Sequence, residues 1–199
     1  MAWLAIAGVV LGAVVFAASF HAAHRDHIPV AEQRVFRAIN RLPGWLYWPL
    51  WPPMQLGNLV VGTLAGLAVA LYYDSWGKAA AAVIAAVLKL FAERVVRHWT
   101  RPLLAVRQRP GTSEPGAVLR GGDVPATGPS FPSGHVILAV AIMCIVAVEI
   151  PAPWMSVPFG LALLVMLGRV YVGAHNPLDV TAGLGLGLIV GMPLAALIV

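Results

Sequence analysis

Apolar segments of the length needed to cross a lipid bilayer make up most of this chain. Its 199 residues are 60% hydrophobic and 11% charged, whereas a soluble domain carries about 25% charged residues. A helix needs about 20 mostly apolar residues to span the hydrocarbon core. Six segments fit that description: Ala2–Phe20, Met54–Tyr73, Gly77–Val96, Val136–Ala152, Trp154–Val172 and Pro177–Val199. The sequence therefore predicts an all-α integral membrane protein, a six-transmembrane-helix bundle forming one domain over residues 1–199.

The N-terminal segment, the cysteine content and the net charge of the chain add further predictions. The N-terminus lacks the basic region of a cleavable signal peptide, so the first apolar segment is predicted to be a retained span. Cys144, the one cysteine, leaves no disulfide within the chain, and we interpret it as a small buried hydrophobe. The net charge is +5, but the basic residues have no polar domain to lie on. We therefore expect membrane lipids or an anionic substrate as partners, and no nucleic acid.

The connection between the first two spans, His21 to Pro53, contains a helical pattern. Its apolar positions are Ile28, Ala31, Val35, Ile39 and Leu42, and its basic positions are Arg34, Arg37 and Arg41. Because the two sets fall on different faces, the pattern predicts an amphipathic interfacial helix after the first span. The aromatic residues that follow it, Trp45, Tyr47, Trp48 and Trp51, are typical of an aromatic belt. An ordinary solvated loop is the alternative.

Three polar motifs interrupt the apolar sequence, and six spans place all of them on one membrane face. They are Arg94–Pro102 (RVVRHWTRP), Ser130–His135 (SFPSGH) and Gly168–Asp179 (GRVYVGAHNPLD). Ionisable groups at membrane depth are costly and tend to mark function. The motifs are therefore predicted to form one composite site. The connection from Arg101 to Pro132 is long for a structureless loop, which favours a binding or lid role.

The first two motifs suit an anion. Arg94 and Arg101 are seven residues apart and share a helix face, and guanidinium groups match phosphate oxygens. Arginines that only extend to the interface are the alternative. Ser133 is a good helix N-cap and Gly134 allows close backbone approach, so this helix start is predicted to bind an anion. His135 in the first turn is a candidate acid, against the alternative of a structural histidine.

The third motif pairs a histidine with a carboxylate. Asn176 can cap the last helix, with Asp179 four residues after His175, so the carboxylate can accept from one imidazole nitrogen. The other nitrogen is then free to act as a nucleophile. Arg169 is predicted to point to the same face. A metal held by His135, His175 and Asp179 is the rival interpretation, which the neighbouring arginines disfavour.

Taken together, the motifs resemble the type 2 phosphatidic acid phosphatase (PAP2) superfamily, in particular its six-helix membrane lipid phosphatases. The family pattern is K-x6-R-P, P-S-G-H and S-R-x5-H-x3-D. This chain matches it in order, with Arg94 to Arg101-Pro102, Pro132 to His135, and Gly168-Arg169 through His175 to Asp179. Two positions depart from the pattern. Arg94 stands where the family has lysine, since Lys89 is out of register, and Gly168 stands where it has serine, so Ser133 is a candidate for the missing hydroxyl contact.

The resemblance implies a role for each matched residue. His175 would attack phosphorus and become a phosphohistidine, Asp179 would orient it, and His135 would protonate the leaving group and then activate water. The phosphoryl oxygens would be bound by Arg94, Arg101, Arg169 and the backbone of Ser133 and Gly134. No metal or other cofactor takes part in this scheme.

Several functions fit these residues. The favoured one is hydrolysis of a lipid phosphate or diphosphate, with a polyprenyl carrier preferred over phosphatidic acid or phosphatidylglycerol phosphate. Lipid-linked phosphotransfer uses the same residues and stays open. A non-catalytic phospholipid binder or transporter would need neither acid nor nucleophile, and a vanadate-binding peroxidase would not need the apolar spans.

The location is predicted to be a bacterial plasma membrane, with the active-site face in the cytoplasm; the outer face is the alternative, since the resemblance implies a site that commonly faces outside. Arginines accumulate on the motif face, whereas the opposite connections offer only Lys78. The arginines counted here are Arg25, Arg34, Arg37, Arg41, Arg107, Arg109 and Arg120. The sequence carries no signal for an oligomeric state.

Overall fold

The computed structural model describes residues 2–25, 27–100, 102–104, 107–122 and 124–199, and these form nine α-helices. They are α1 (Ala2–Ala23), α2 (Val30–Asn40), α3 (Tyr47–Gln55), α4 (Leu59–Tyr72), α5 (Trp76–Thr100), α6 (Pro110–Ser113), α7 (Gly134–Ala147), α8 (Ser156–Tyr171) and α9 (Pro177–Leu197). Short 3₁₀ turns lie at Gly44–Leu46 and Ala152–Trp154. Within the described ranges there is no strand, so the all-α fold class is confirmed.

Two helices are long and apolar enough to cross a membrane. They are α1, with 22 residues, and α9, with 21. Helices α7 and α8 are apolar but shorter, with 14 and 16 residues. Helix α5 has 25 residues and carries charged side chains along its length, Lys78, Lys89, Glu93, Arg94 and Arg97. The described helices therefore establish at least two apolar spans.

The predicted second span, Met54–Tyr73, is wrong in its first part. The chain bends by 61° between α3 and α4, and Met54 belongs to α3. Asn58 causes the new start, because its Oδ1 accepts from two backbone N–H groups in the first turn of α4, at 3.0 and 3.3 Å. The predicted fourth span also ends early, at Ala147 rather than Ala152, since the prolines that follow cannot continue a helix.

Helix α7 forms the centre of the bundle. It is apolar on every side and almost wholly buried, including Cys144 as predicted. Helices α4, α5, α8 and α9 pack around it, and α1 packs on the outer side of α9. The start of α7, which carries the SFPSGH motif, is thereby held inside the protein.

Glycines let α9 approach α7 closely. Gly183, Gly187 and Gly191 recur every four residues on the face of α9 that meets α7. A Cβ added at Gly187 would lie 2.5 Å from Cβ of Val140, and one at Gly191 would lie 2.7 Å from Cα of Ala141. Small residues of this kind permit close backbone contact between membrane helices. Helix α7, which carries His135, and helix α9, which His175 precedes, are therefore packed directly on each other.

We expect Gly187→Val to destabilise the protein by about 2–3 kcal/mol, because the added side chain overlaps Val140 in a packed core. The measurement is thermal unfolding in detergent micelles, followed by size-exclusion chromatography. Gly160→Ala on α8 is the matched control, since a Cβ there meets no atom within 4 Å. The control should keep or raise stability, by up to about 1 kcal/mol from helix propensity. Equal stability of the two variants would contradict the packing argument.

Helix α2 forms where the amphipathic pattern predicted a helix, but a different face packs on the protein. Glu32, Phe36 and Asn40 are buried, whereas Val35 of the predicted apolar face is 48% exposed. Phe36 packs in the main hydrophobic core. The buried polar residues on either side of it, Glu32 and Asn40, have partners elsewhere in the chain. The exposed apolar side chains suit contact with lipid, and the interfacial position of α2 stays a prediction.

The connection between α5 and α7 is tied down at its middle. Asn40 donates through Nδ2 to the carbonyls of Val118 and Tyr171, at 2.9 Å each. Arg120 donates to the carbonyl of Tyr171 at 2.8 Å and stacks 4.2 Å from its ring centroid. This part of the connection is therefore an anchored element that bridges α2 and α8.

Candidate active site

The second and third motifs meet where α7 and α9 begin. Ser133 and Asn176 are the N-cap residues of these helices. The backbone N–H of Ser133 donates to the carbonyl of Asp179 at 3.0 Å, which fastens the two helix starts together. His135 in the first turn of α7 and His175 just before α9 are thereby brought to one place, as the sequence predicted.

The loop before α9 folds back on the end of α8. The backbone N–H groups of Ala174 and His175 donate to the carbonyl of Arg169, at 3.0 and 3.3 Å. Gly173 makes this turn possible with φ of +77°, a conformation that favours glycine, and an added Cβ would lie 2.8 Å from Cδ2 of Leu119. Arg169 is 5% exposed, so its guanidinium is enclosed beside the nucleophile candidate.

His175 and Asp179 face each other in the interior. Nδ1 of His175 lies 3.7 Å from Oδ2 of Asp179, a separation that is longer than a hydrogen bond. Oδ2 also accepts from the backbone N–H of Asn176 at 2.8 Å, which fixes the carboxylate. Burial lowers the pKa of His175 to about 4, against the opposing charge of Asp179. At neutral pH the imidazole is therefore uncharged, with Nε2 on the side away from the carboxylate.

Arg107 and Glu32, which sequence reasoning missed as site residues, complete a buried chain behind Asp179. Nε of Arg107 donates to Oδ1 of Asp179 at 2.7 Å, and Nη1 donates to Oε2 of Glu32 at 3.0 Å. Nη2 of Arg107 bonds to Oε1 of Glu32 as well. Burial alone would lower the pKa of Arg107, but the two carboxylates raise it above its ordinary value. The arginine is thus held as a buried cation between two anions.

The start of α7 offers an enclosed hydroxyl. Ser133 is fully buried, and its Oγ has no hydrogen-bond partner among the described residues. It occupies the predicted N-cap position, but its side chain makes no capping hydrogen bond. A buried polar atom without a partner calls for an explanation, and a ligand oxygen is one that suits a hydroxyl beside a helix N-terminus.

Helix α5 brings a ladder of charges against the start of α7. Nζ of Lys89 lies 2.7 Å from Oε2 of Glu93, and Oε1 of Glu93 lies 2.8 Å from Nη2 of Arg97. A Cβ added at Gly134 would clash with the Glu93 carboxylate. The ladder therefore packs directly on the start of α7 at Gly134.

The predicted phosphate-binding arginines of α5 are placed differently. Arg94 is exposed and lines a cleft beside the site, without a packed contact to α7 among the described interactions. Arg101 lies outside the described residues. The structure therefore gathers Arg169, Ser133 and Gly134 around the histidines, and puts Arg94 at the edge.

Arg109 is a further cation that sequence reasoning assigned only to a membrane face. Its Nη1 donates to the carbonyl of Ala174, next to His175, at 2.9 Å. Burial and then the charge of Arg97 lower the pKa of Arg109. His135 lies within electrostatic reach of Arg109, Lys89, Arg169 and His175. The site is thus a pair of histidines set among cations, which is suited to an anion.

A cleft of about 1430 Å³ opens beside this cluster, between α5 and the connection to α7. One part of its wall is apolar, with Val87, Leu90 and Phe91, and another is cationic, with Arg94, Arg97 and Arg107. Among the residues that the structure describes, no group of three or more histidine, cysteine, aspartate or glutamate side chains is arranged to hold a metal ion.

The chain belongs to the PAP2 superfamily, whose family model matches residues 70–198. That range contains all the matched motif positions, so the resemblance found in the sequence is confirmed.

Solved membrane PAP2 structures share the fold. The chain is 22% identical to the PAP2-type phosphatidylglycerolphosphate phosphatase of Bacillus subtilis, with a TM-score of 0.71, covering 95% of this chain and 94% of that one. It is 24% identical to LpxE of Aquifex aeolicus, with a TM-score of 0.68, covering 81% and 92%. Together with the apolar helices, this fold indicates an integral membrane protein.

A curated relative is similar over a shorter stretch. Glucose-6-phosphatase 3 of Rattus norvegicus is 41% identical over 78 residues, which cover 33% of this chain. The aligned part is 22% of the length of that relative.

Proposed function

We propose that this protein hydrolyses the phosphate monoester or diphosphate of a membrane lipid through a phosphohistidine at His175. A polyprenyl phosphate or diphosphate is the favoured substrate. The observation that carries the lipid assignment is the cleft beside the site. Its apolar wall can hold the first part of a lipid chain, while its cationic wall leads the phosphate toward the histidines.

The positions of the side chains support the following chemistry. Nε2 of neutral His175 attacks phosphorus, and the bond to the leaving oxygen breaks as His135 gives that oxygen a proton. Asp179 stabilises the positive charge that develops on His175. The imidazole–phosphate bond is then hydrolysed by water, which His135 deprotonates.

The phosphoryl oxygens need fixed positive charge and hydrogen-bond donors. Arg169 and the Ser133–Gly134 helix start supply these beside the histidines, and Ser133 takes the place of the family serine that Gly168 lacks. Arg94 and Arg101 are proposed to approach the phosphate from the cleft. This scheme uses no metal or other cofactor.

The proposed topology has six spans, with α3 and α4 together forming the second and α2 lying at the interface. The site then opens at one membrane surface, where a lipid headgroup resides. The arginines of α2 and of the α5–α7 connection favour the cytoplasmic surface of a bacterial plasma membrane.

A substrate panel tests the function directly. Purified protein in micelles is given polyprenyl phosphate, polyprenyl diphosphate, phosphatidic acid, phosphatidylglycerol phosphate and glucose 6-phosphate, and phosphate release is measured. We expect turnover of the lipid substrates only, with the polyprenyl compounds preferred. Equal turnover of glucose 6-phosphate would remove the lipid assignment. Added alcohol acceptors distinguish transfer from hydrolysis, because transfer yields a new phosphate ester.

We expect EDTA to leave activity unchanged and vanadate to inhibit it. Vanadate adopts the five-coordinate geometry of the phosphorus transition state, and a site complementary to that state binds it tightly. The measurement is phosphate release from the preferred lipid with each reagent. Activity that is lost in EDTA and restored by a divalent ion would establish the metal mechanism instead.

The acid limb of the rate profile should lie well below pH 6.5. Burial lowers the pKa of His175 to about 4, so the imidazole stays neutral and nucleophilic until the pH falls toward that value, and protonation then removes activity. The measurement is kcat/KM against pH for the preferred lipid. An acid limb at pH 6.5 or above would show that a different group, or an unshifted histidine, controls the reaction.

A further inference from the structure

We propose that Glu32 is a positioning residue of the active site, which acts through Arg107 to fix Asp179 and to set the charge that His175 experiences. This inference rests on the proposed function for its catalytic consequence. It places α2, outside the three motifs, in the machinery that prepares the nucleophile.

Direct hydrogen bonds make every link from Glu32 through Arg107 to Asp179. Arg107 uses one edge of its guanidinium for both oxygens of Glu32, and its Nε for Oδ1 of Asp179 at 2.7 Å. The side chains of Glu32, Arg107 and Asp179 are 5%, 3% and 0% exposed. Oε1 of Glu32 also accepts from the backbone N–H of Leu178 in the first turn of α9, at 2.8 Å. Glu32 therefore holds Arg107, which bonds to Asp179, and it also holds the start of α9, on which Asp179 lies.

Charge balance gives Glu32 a second effect. The trio of Glu32, Arg107 and Asp179 carries one net negative charge. Its carboxylate oxygen Oδ2 of Asp179 lies 3.7 Å from Nδ1 of His175. Replacing Glu32 by glutamine makes this trio neutral. The nucleophilic attack makes His175 positive, so a neutral trio stabilises the transition state less, and electrostatic effects of this kind are large in buried sites.

His175 is also faced by charged or titratable groups from other elements. They are Arg169 of α8, His135 of α7, Arg109 of the connection, Asp179 of α9 and, behind Asp179, Arg107 of the connection and Glu32 of α2. The arginines already oppose protonation of His175. Without the charge of Glu32, less negative charge offsets the arginines near His175. The pKa of His175 must therefore fall further in Glu32→Gln.

Glu114 provides a matched control. It is also a buried carboxylate, with its side chain 1% exposed, and it also ties α2 to the connection, through Arg37 at 3.4 Å. Its ion pair contains neither Asp179 nor His175. Glu114→Gln therefore reproduces the loss of a buried carboxylate and of an α2 anchor, while every hydrogen bond from Glu32 through Arg107 to Asp179 is kept.

The experiment compares Glu32→Gln, Glu32→Asp and Glu114→Gln with the wild type in micelles, after size-exclusion chromatography confirms the fold. We expect Glu32→Gln to lower kcat about tenfold, the scale of one charge acting across a buried site. Its KM should change less than about threefold, since substrate contacts are kept. Glu32→Asp, which keeps the charge, should recover most of the activity, and Glu114→Gln should match the wild type.

A second measurement needs no substrate. The ¹⁵N shifts of labelled histidine follow the titration of His175, which is assigned by its disappearance in His175→Gln. We expect Glu32→Gln to move this titration down by about 0.5 pH unit or more, corresponding to a modest loss of stabilisation of the charged form. Glu32→Asp and Glu114→Gln should leave it in place.

The outcomes separate the two proposals. An unchanged titration in Glu32→Gln, or an equal shift and loss of kcat in Glu114→Gln, would overturn the role of Glu32. If Glu32→Gln does not fold, Glu32→Asp decides, since a titration displaced in a variant that keeps the charge contradicts the mechanism. If the wild type turns over no lipid phosphate, the proposed function fails while the titration still tests the link from Glu32 to His175.

Discussion

Replacing His175 with alanine is expected to abolish phosphate release, with a loss of at least about 10⁴-fold in kcat, as for other removed nucleophiles. The reason is that Nε2 of His175 forms the covalent bond to phosphorus in the proposed mechanism. The fold should survive, because Nδ1 has no hydrogen-bond partner among the described residues and its nearest carboxylate stays bound to Arg107. The measurement is phosphate release by protein that elutes as a single species.

Two further variants make the result specific. His175→Gln fills most of the imidazole volume, so an equal loss there excludes a cavity as the cause. His21→Ala removes an exposed histidine at the end of α1 and should keep full activity. Acid-labile phosphate trapped on the wild type and absent from His175→Ala would identify the intermediate. Retained activity in His175→Ala would rule out the phosphohistidine mechanism.

The positions of the histidines could be predicted because their signals are local. Ser133 and Asn176 mark the starts of two helices in the sequence, and each histidine lies within two residues of its helix start. Because both helices begin on the same face of the predicted bundle, they run in the same direction, which places His135 and His175 at the same level. The family pattern adds the roles, but the placement follows from helix capping and membrane length.

The chain behind Asp179 could not be predicted because its contacts join distant segments. Arg107 lies 75 residues from Glu32 and 72 from Asp179. In the sequence, Glu32 is one polar residue of a helix whose apolar periodicity pointed to a different face. Tertiary partners, Arg107 for Glu32 and Val118 for Asn40, turn the polar face inward. Periodicity reports burial of apolar groups and carries no information on such polar partners.

The bend before α4 was missed although a local signal exists. Gly57 disfavours a continuous helix and Asn58 is a good N-cap, and both lie inside an otherwise apolar run. The hydropathy of Met54–Tyr73 hides it, because an average over about 19 residues does not register one capping residue. The bend matters for the site, since a Cβ at Gly57 would lie 2.7 Å from Cβ of His135. The turn between α3 and α4 thus packs on the candidate acid.

Arg94→Ala is expected to lower kcat/KM by about 100-fold, comparable to the loss of one preorganised charge donor. Arg94 occupies the position of the family lysine, and it lines the cleft through which the phosphate is proposed to arrive. It has no ion pair among the described residues, so its guanidinium is available for a substrate oxygen. Arg94→Lys should retain much of the activity because the family uses lysine there.

Lys89→Ala is the matched comparison on the same helix. Lys89 lies closer to the start of α7 than Arg94 does, but its charge is committed to Glu93 at 2.7 Å. Removing it leaves Glu93 paired with Arg97 at 2.8 Å, so no bare carboxylate faces the phosphate. We therefore expect a loss below about tenfold, the range of an indirect electrostatic effect. If Lys89→Ala is the damaging change and Arg94→Ala is mild, Lys89 is the cation of α5 that binds the phosphate, and the first motif does not follow the family register.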